Sequence, residues 1–192
     1  MNIKSNKGLT LVEVIVTVAI MGIIIAPISL VFTTAYTNFN GESDKVAAQQ
    51  GARDILYGKG IDSYGNRSYG IMGDLERSSA KANNITIEDI IEPNKGRSIS
   101  MPGTIIDKTS LKEKAVTKKY SYIDGVLYYD NDTSNSNPVK YIDQKSSTNK
   151  AVIVSDFSAE KIDNKLITIS VTVTCGDGEI TLESSYRIPD IE

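Results

Sequence analysis

The chain has 192 residues, a formal net charge of −3, and neither histidine nor tryptophan. The missing histidine excludes Ser-His-Asp triads, histidine general bases and histidine metal ligands within this chain, and the absence of a basic excess argues against a general electrostatic grip on nucleic acid. The single cysteine, Cys175, excludes an intrachain disulfide, so an exported domain must rely on its core and on sheet pairing.

Met1 to Gly8 is short and polar and carries Lys4 and Lys7; Leu9 to Phe32 is then a 24-residue run whose one charge is Glu13. A hydrocarbon core of ~30 Å needs about 20 helical residues, so the run is long enough to span. The preceding lysines favour a cytoplasmic N-terminus. Pro27, the one proline in the run, predicts a kink or local unwinding. A cleavable secretory signal is one explanation, with Thr33-Thr34-Ala35 as a small-residue site. The apolar stretch is longer than the ~7–15 residues of an ordinary signal core. A plain membrane anchor is another, but it gains nothing from Glu13, because a carboxylate is costly inside a bilayer.

The local pattern Lys7-Gly8-Leu9-Thr10-Leu11-Val12-Glu13 resembles the processing site of type IV prepilins and type II secretion pseudopilins. In that family the pattern is a basic leader, Gly, an apolar residue, Thr or Ser, Leu, any residue, then Glu, opening an apolar helix. The resemblance implies cleavage between Gly8 and Leu9 by a membrane prepilin peptidase. The same enzyme then methylates the new amine of Leu9, which stands where Phe is commoner. It implies that Glu13 serves filament assembly by pairing with the amine of a neighbouring subunit. The implied partners are other pilin subunits through the N-terminal helix, the peptidase/methyltransferase, a membrane platform protein, and the lipid bilayer before assembly. No cofactor, metal, catalytic residue or specific nucleic acid is implied. The implied location is the cell membrane, single-pass, and then an extracellular filament. Gly8 suits a protease groove because its backbone has no side chain to hinder it.

Beyond Thr33 the sequence turns amphiphilic, and continued helix to about Tyr57 is expected, with Gly41 weakening or ending it. Gly58-Lys59-Gly60 begins a Gly/Tyr/Ser-rich linker that reaches Gly70. Asp74 to Ala82 reads as a short second helix with Met72, Leu75 and Ser79 facing one way, and Asp74-Leu75-Glu76-Arg77 resembles a segment of larger J-type minor pseudopilins.

The remainder is strand-rich. Thr86 to Ile91 is a strand or transition. Tyr120–Ile123 and Val126–Tyr129 flank Asp124-Gly125, a two-residue hairpin signal. Ala151 to Phe157 is a further strand. Leu166 to Thr174 alternates, with Ile167, Ile169, Val171 and Val173 on one face. Gly176-Asp177-Gly178 then turns the chain into Glu179–Ile188, with Ile180, Leu182, Tyr186 and Ile188 inward. Apolar strand faces need a cover, and the long helix is the natural one.

The expected fold is therefore α+β: a long N-terminal transmembrane and filament helix packed on an antiparallel sheet, a pilin-like ladle. The expected division is a leader over 1–8, a long helix over 9–57 (9–32 spanning) and a β-rich domain over 58–192. Asp130-Asn131-Asp132 looks faintly like a calcium loop, but Asn135 stands where the loop glycine belongs and Tyr141 where the closing Glu belongs; an ordinary polar turn is the plainer reading. Tyr120, Tyr122, Tyr128, Tyr129 and Tyr141, interleaved with Lys118, Lys119 and Lys140, suit either a contact surface for sugars or single strands or simple strand packing. The leading expectation is a minor pilin or pseudopilin; the alternative is an adhesin or anchored binding module that uses the Tyr-rich hairpin.

Overall fold

A computed structural model describes residues 10–61, 67–78, 84–90, 96–106, 110, 112–136, 138–143, 145–163 and 165–189. Its contacts divide the chain into two units, one ending at Asn40 and one beginning at Gly41.

The first unit contains the start of helix α1 (Leu11–Tyr57). Every residue from Thr10 to Phe39 is exposed. The helix is apolar all round here, which fits lipid or other helices rather than water. It is the one helix among the described residues long and apolar enough to cross a membrane. The helix is unbroken through Pro27, so the expected unwinding there is not found. Nor does Gly41 end it. A lone glycine costs a helix only ~0.5–1 kcal/mol relative to alanine, too little to stop a helix that packs beyond it.

In the second unit, α1 turns amphipathic. Asp44, Ala48, Gly51, Ala52, Ile55 and Leu56 are buried at three- and four-residue spacing. Gly58 ends the helix. Its φ of 89° is left-handed and its N–H donates to the Asp54 carbonyl at 2.9 Å, the usual glycine C-cap. Strands β1 (Gly60–Ile61) and β2 (Arg67–Ser68) pair within the expected linker. Helix α2 spans Gly70–Arg77, four residues earlier than the expected Asp74 start. Ile71, Asp74 and Leu75 form its buried face and Met72 is half-buried; Ser79 and Ala82 lie outside the described residues.

Eight more strands follow: β3 (Thr86–Ile90), β4 (Gly96–Ile106), β5 (Glu113–Ile123), β6 (Val126–Asp130), β7 (Val139–Lys140), β8 (Val152–Ile162), β9 (Leu166–Cys175) and β10 (Gly178–Arg187). All pairing is antiparallel, as expected. The strands form not one sheet but a five-stranded sheet in order β3-β4-β5-β6-β7, a three-stranded sheet β10-β9-β8 and the small β1-β2 pair. The β5–β6 turn holds Asp124 and Gly125 at φ 48° and 79°, the left-handed pair that a two-residue hairpin requires.

β4 escaped the sequence reading because Pro102 and Gly103 interrupt it. Pairing with β3 stops at Ser100, so β4 keeps one neighbour beyond that point, where a proline is tolerated. Strand β9 alternates as read: Ile167, Ile169, Val171 and Val173 are fully buried. With α1, α2 and the inward residues of β4, β5, β6 and β8 they make one core. The sheets meet where the Tyr122 hydroxyl donates 2.8 Å to the Ser155 carbonyl, at the β8 bulge between Val154 and Asp156.

Candidate functional site

Of the sequence-derived site residues, Gly8 and Leu9 lie outside the described residues, while Glu13 sits in the first turn of α1. Thr10 is the residue before the helix, and its carbonyl accepts the first helical bond from Val14 N–H at 3.2 Å. The Thr10 N–H donates to Glu13 Oε2 at 2.8 Å and the Thr10 hydroxyl donates to the same oxygen at 2.9 Å. In return, the Glu13 N–H donates to Thr10 Oγ1 at 3.3 Å. This is a reciprocal capping box, Thr-x-x-Glu, which satisfies two helix-terminal donors. The Thr-x-x-Glu signature of that box stands in the sequence at Thr10 and Glu13. A carboxylate in the first turn also complements the positive end of the helix dipole.

Glu13 thus has a local role that does not use up its capacity. An ionised carboxylate offers about four acceptor positions, and the contacts above fall on one oxygen. The outer oxygen remains able to meet a cation from outside the helix.

The tyrosines of the β5–β6 hairpin are not a common surface. Tyr120 is buried at 1% exposure and Tyr141 at 9%. Tyr120, Tyr129 and Tyr141 stack on one another with centroids 4.7–5.8 Å apart. The Tyr120 hydroxyl donates to Asp74 Oδ2 at 2.8 Å and the Tyr141 hydroxyl to the Asp54 carbonyl at 3.1 Å. Burial, with the Asp74 charge adding to it, holds the Tyr120 and Tyr129 hydroxyls well above the usual phenol range, so both stay protonated donors. Tyr120 and Tyr141 belong to the core and Tyr129 packs against it, as strand packing implied.

The acidic loop is likewise closed on itself. Asp130 accepts from Asp132 N–H at 3.1 Å and from the Ser136 hydroxyl at 2.8 Å. Asp132 caps a 3₁₀ turn (Thr133–Asn135), accepting from Ser134 N–H at 3.1 Å and from the Ser134 hydroxyl. Its other oxygen takes the Lys114 ammonium at 2.7 Å. Lys114 and Ser134 hold the Asp132 carboxyl below its ordinary range. Protein donors fill these oxygens in an Asx-turn arrangement.

The family model described as the prokaryotic N-terminal methylation motif matches residues 3–29. No curated protein and no solved structure matches the chain. The matched segment, with the apolar helix behind it, indicates a type IV prepilin-like N-terminus. The motif supports a pilin-like subunit that is anchored in the membrane before it joins other pilins in a surface filament.

Proposed function

We propose that the chain is a minor pilin or pseudopilin of a type IV pilus, a type II secretion-like machine or a DNA-uptake filament. Cleavage falls between Gly8 and Leu9, Leu9 is methylated, and Glu13 sets the axial register by pairing with the Leu9 amine of a neighbouring copy. The working division is a leader over 1–8, a helix over 9–57 with 9–32 in the membrane before assembly, and a β-rich domain over 58–192.

The observation that carries this reading is the coincidence of the methylation motif with a helix exposed over its whole apolar length. Such a helix needs a bilayer first and a bundle afterwards; a contact repeated head-to-tail without closing gives an open helical filament. The released α-amine of Leu9 is mostly cationic at neutral pH, and Glu13 has an oxygen left for it. In a dry bundle an ion pair that is also hydrogen-bonded is tolerated, whereas a lone charge is not. The burial of Tyr120 and Tyr141 takes two of the five hairpin tyrosines out of the surface that the adhesin alternative uses.

The test is mass spectrometry of the subunit recovered from sheared filaments. The expected N-terminus is N-methylated Leu9. An intact Met1, or a chain starting at Tyr36, overturns the processing claim; filaments that contain none of this chain overturn the structural role.

A further inference from the structure

Lys118 of β5 and Asp74 of α2 form an ion pair in which both side chains are sequestered, at 11% and 2% exposure, with Nζ 2.6 Å from Oδ1. In Lys45–Glu42, Arg97–Asp89, Lys114–Asp132 and Lys150–Asp44, by contrast, at least one partner stays well exposed. The surroundings exclude water: Leu75 and Met101 are fully buried and the Tyr120 and Tyr129 rings stack beside the pair. The lysine stem is guided to this point. It lies across Gly103, where a Cβ would sit 2.9 Å from Lys118 Cε and 3.0 Å from Cδ. The second carboxylate oxygen, Oδ2, accepts the Tyr120 hydroxyl at 2.8 Å.

We propose that Lys118 and Asp74 condense into an intramolecular amide that ties α2 covalently to β5. Two charges held out of water are costly even when paired, and an amide removes both. The groups needed are already in contact, the condition under which an intramolecular reaction is fast. The Lys118 ammonium passes a proton to Asp74 Oδ1. The freed amine lone pair attacks Asp74 Cγ, and the N–Cγ bond forms as the carbonyl π electrons move onto Oδ2. There the Tyr120 hydroxyl stabilises the developing oxyanion by donating to it. The tetrahedral centre collapses as the Cγ–Oδ1 bond breaks, and Oδ1 leaves as water with its own proton and one from nitrogen. The products are one secondary amide and one water; nothing is oxidised or reduced and no co-reactant is needed. In a chain whose single cysteine allows no intrachain disulfide, this bond is a covalent staple.

The experiment is a tryptic map and intact mass of the full chain purified from membranes. The expected product in most molecules is a branched peptide, Ser68–Arg77 joined to Ala115–Lys119, at the sum of the two masses less one water, with trypsin unable to cut after Lys118. The whole chain is then lighter by one water than its processed sequence. K118R, which keeps the charge but lacks the reacting amine, loses the branched peptide and the mass deficit together. Recovery of wild-type Ser68–Arg77 as a free peptide, with cleavage after Lys118, overturns the proposal. So does a missing water that maps instead to Asp124-Gly125 or Asp177-Gly178, where a backbone succinimide would account for it.

Discussion

Asp44 on α1 and Lys150 in the loop before β8 meet at 2.8 Å between Oδ2 and Nζ. The other Asp44 oxygen takes the Thr148 hydroxyl at 2.7 Å, which is itself bonded to the Ser146 hydroxyl at 2.6 Å. One residue before Asp44, Ser43 joins its hydroxyl to that of Ser147. The β9–β10 turn closes the junction: a Cβ on Gly178 would fall 2.7 Å from the Lys45 backbone nitrogen. One buried carboxylate thus fixes the loop to the helix, and the hairpin turn packs on the helix backbone beside it.

This clamp predicts the acid limb of stability. The Lys150 and Thr148 hydrogen bonds hold the Asp44 carboxyl below its ordinary range. A depressed carboxyl contributes stability that is fully present above its unfolded pKa of about 3.9 and is lost as pH falls through the lower folded value. The Asp44 hydrogen bond raises Lys150, so its contribution is present below about 10.4 and is lost as pH rises through the higher folded value. Asp44→Asn keeps an acceptor for Thr148 but loses the charge. The expected result is a lower urea midpoint at neutral pH and a shallower fall in acid, where Asp132 still contributes. Tyrosine emission during unfolding of the detergent-solubilised chain, repeated from neutral pH downward, reads both effects without a tryptophan background.

Two substitutions at Glu13 separate its two roles. Glu13→Gln keeps the acceptor that the capping box uses, since glutamine serves there as well as glutamate, but it removes the charge. Glu13→Val removes both. Pairing with the Leu9 amine predicts that both variants reach the membrane in normal amounts and that both are depleted from sheared filaments, measured by immunoblot against the membrane fraction. Wild-type incorporation of Glu13→Gln would assign Glu13 to helix capping alone.

Elements whose evidence is local were legible in the sequence. The β5–β6 turn follows from Asp124-Gly125 alone, and the β9 face follows from strict alternation, Ile167 to Val173. The N-terminal motif is also contiguous, so the methylation motif at residues 3–29 could be read without a fold. What escaped depends on residues far apart in the chain. Asp74 and Lys118 are separated by 44 positions, and nothing local marks either as a partner. Asp44 and Lys150 are 106 apart. β4 was hidden because Pro102 reads as a strand breaker until the short reach of β3 is known. The split into two sheets was equally hidden, since alternation shows which face is inward but not which sheet a strand joins.

The tyrosine cluster predicts unequal costs for equal changes. Tyr120→Phe removes one hydroxyl and leaves Asp74 Oδ2 without that donor in a buried site, an expected loss of about 1–3 kcal/mol. Tyr128→Phe, on the opposite face by strand alternation, is half-buried and should stay within about 0.5 kcal/mol of wild type. Urea titrations of the two variants side by side check this; equal losses would mean that Asp74 does not depend on the Tyr120 hydroxyl.

Two glycines of α1 give opposite expectations for the same substitution. Gly41 has nothing within 4 Å of an added Cβ. Gly41→Ala should therefore stabilise the subunit by about 0.5–1 kcal/mol through helix propensity. At Gly51 the added carbon would lie 2.7 Å from Val152 Cγ1 and 3.4 Å from Val173 Cγ1. Both valines are β-branched, strand-held and buried, so neither can swing aside cheaply. Overpacking of this kind costs about 1–3 kcal/mol, which exceeds the propensity gain. Gly51→Ala should thus destabilise. Val152→Ala alone should also destabilise, by opening space in the same place. Combined, each change relieves the other: the double variant should be more stable than the two single losses sum to, with a coupling of about 0.5–3 kcal/mol. Urea unfolding of the four proteins measures that coupling, and strict additivity would show that α1 does not rest on β8 at Gly51.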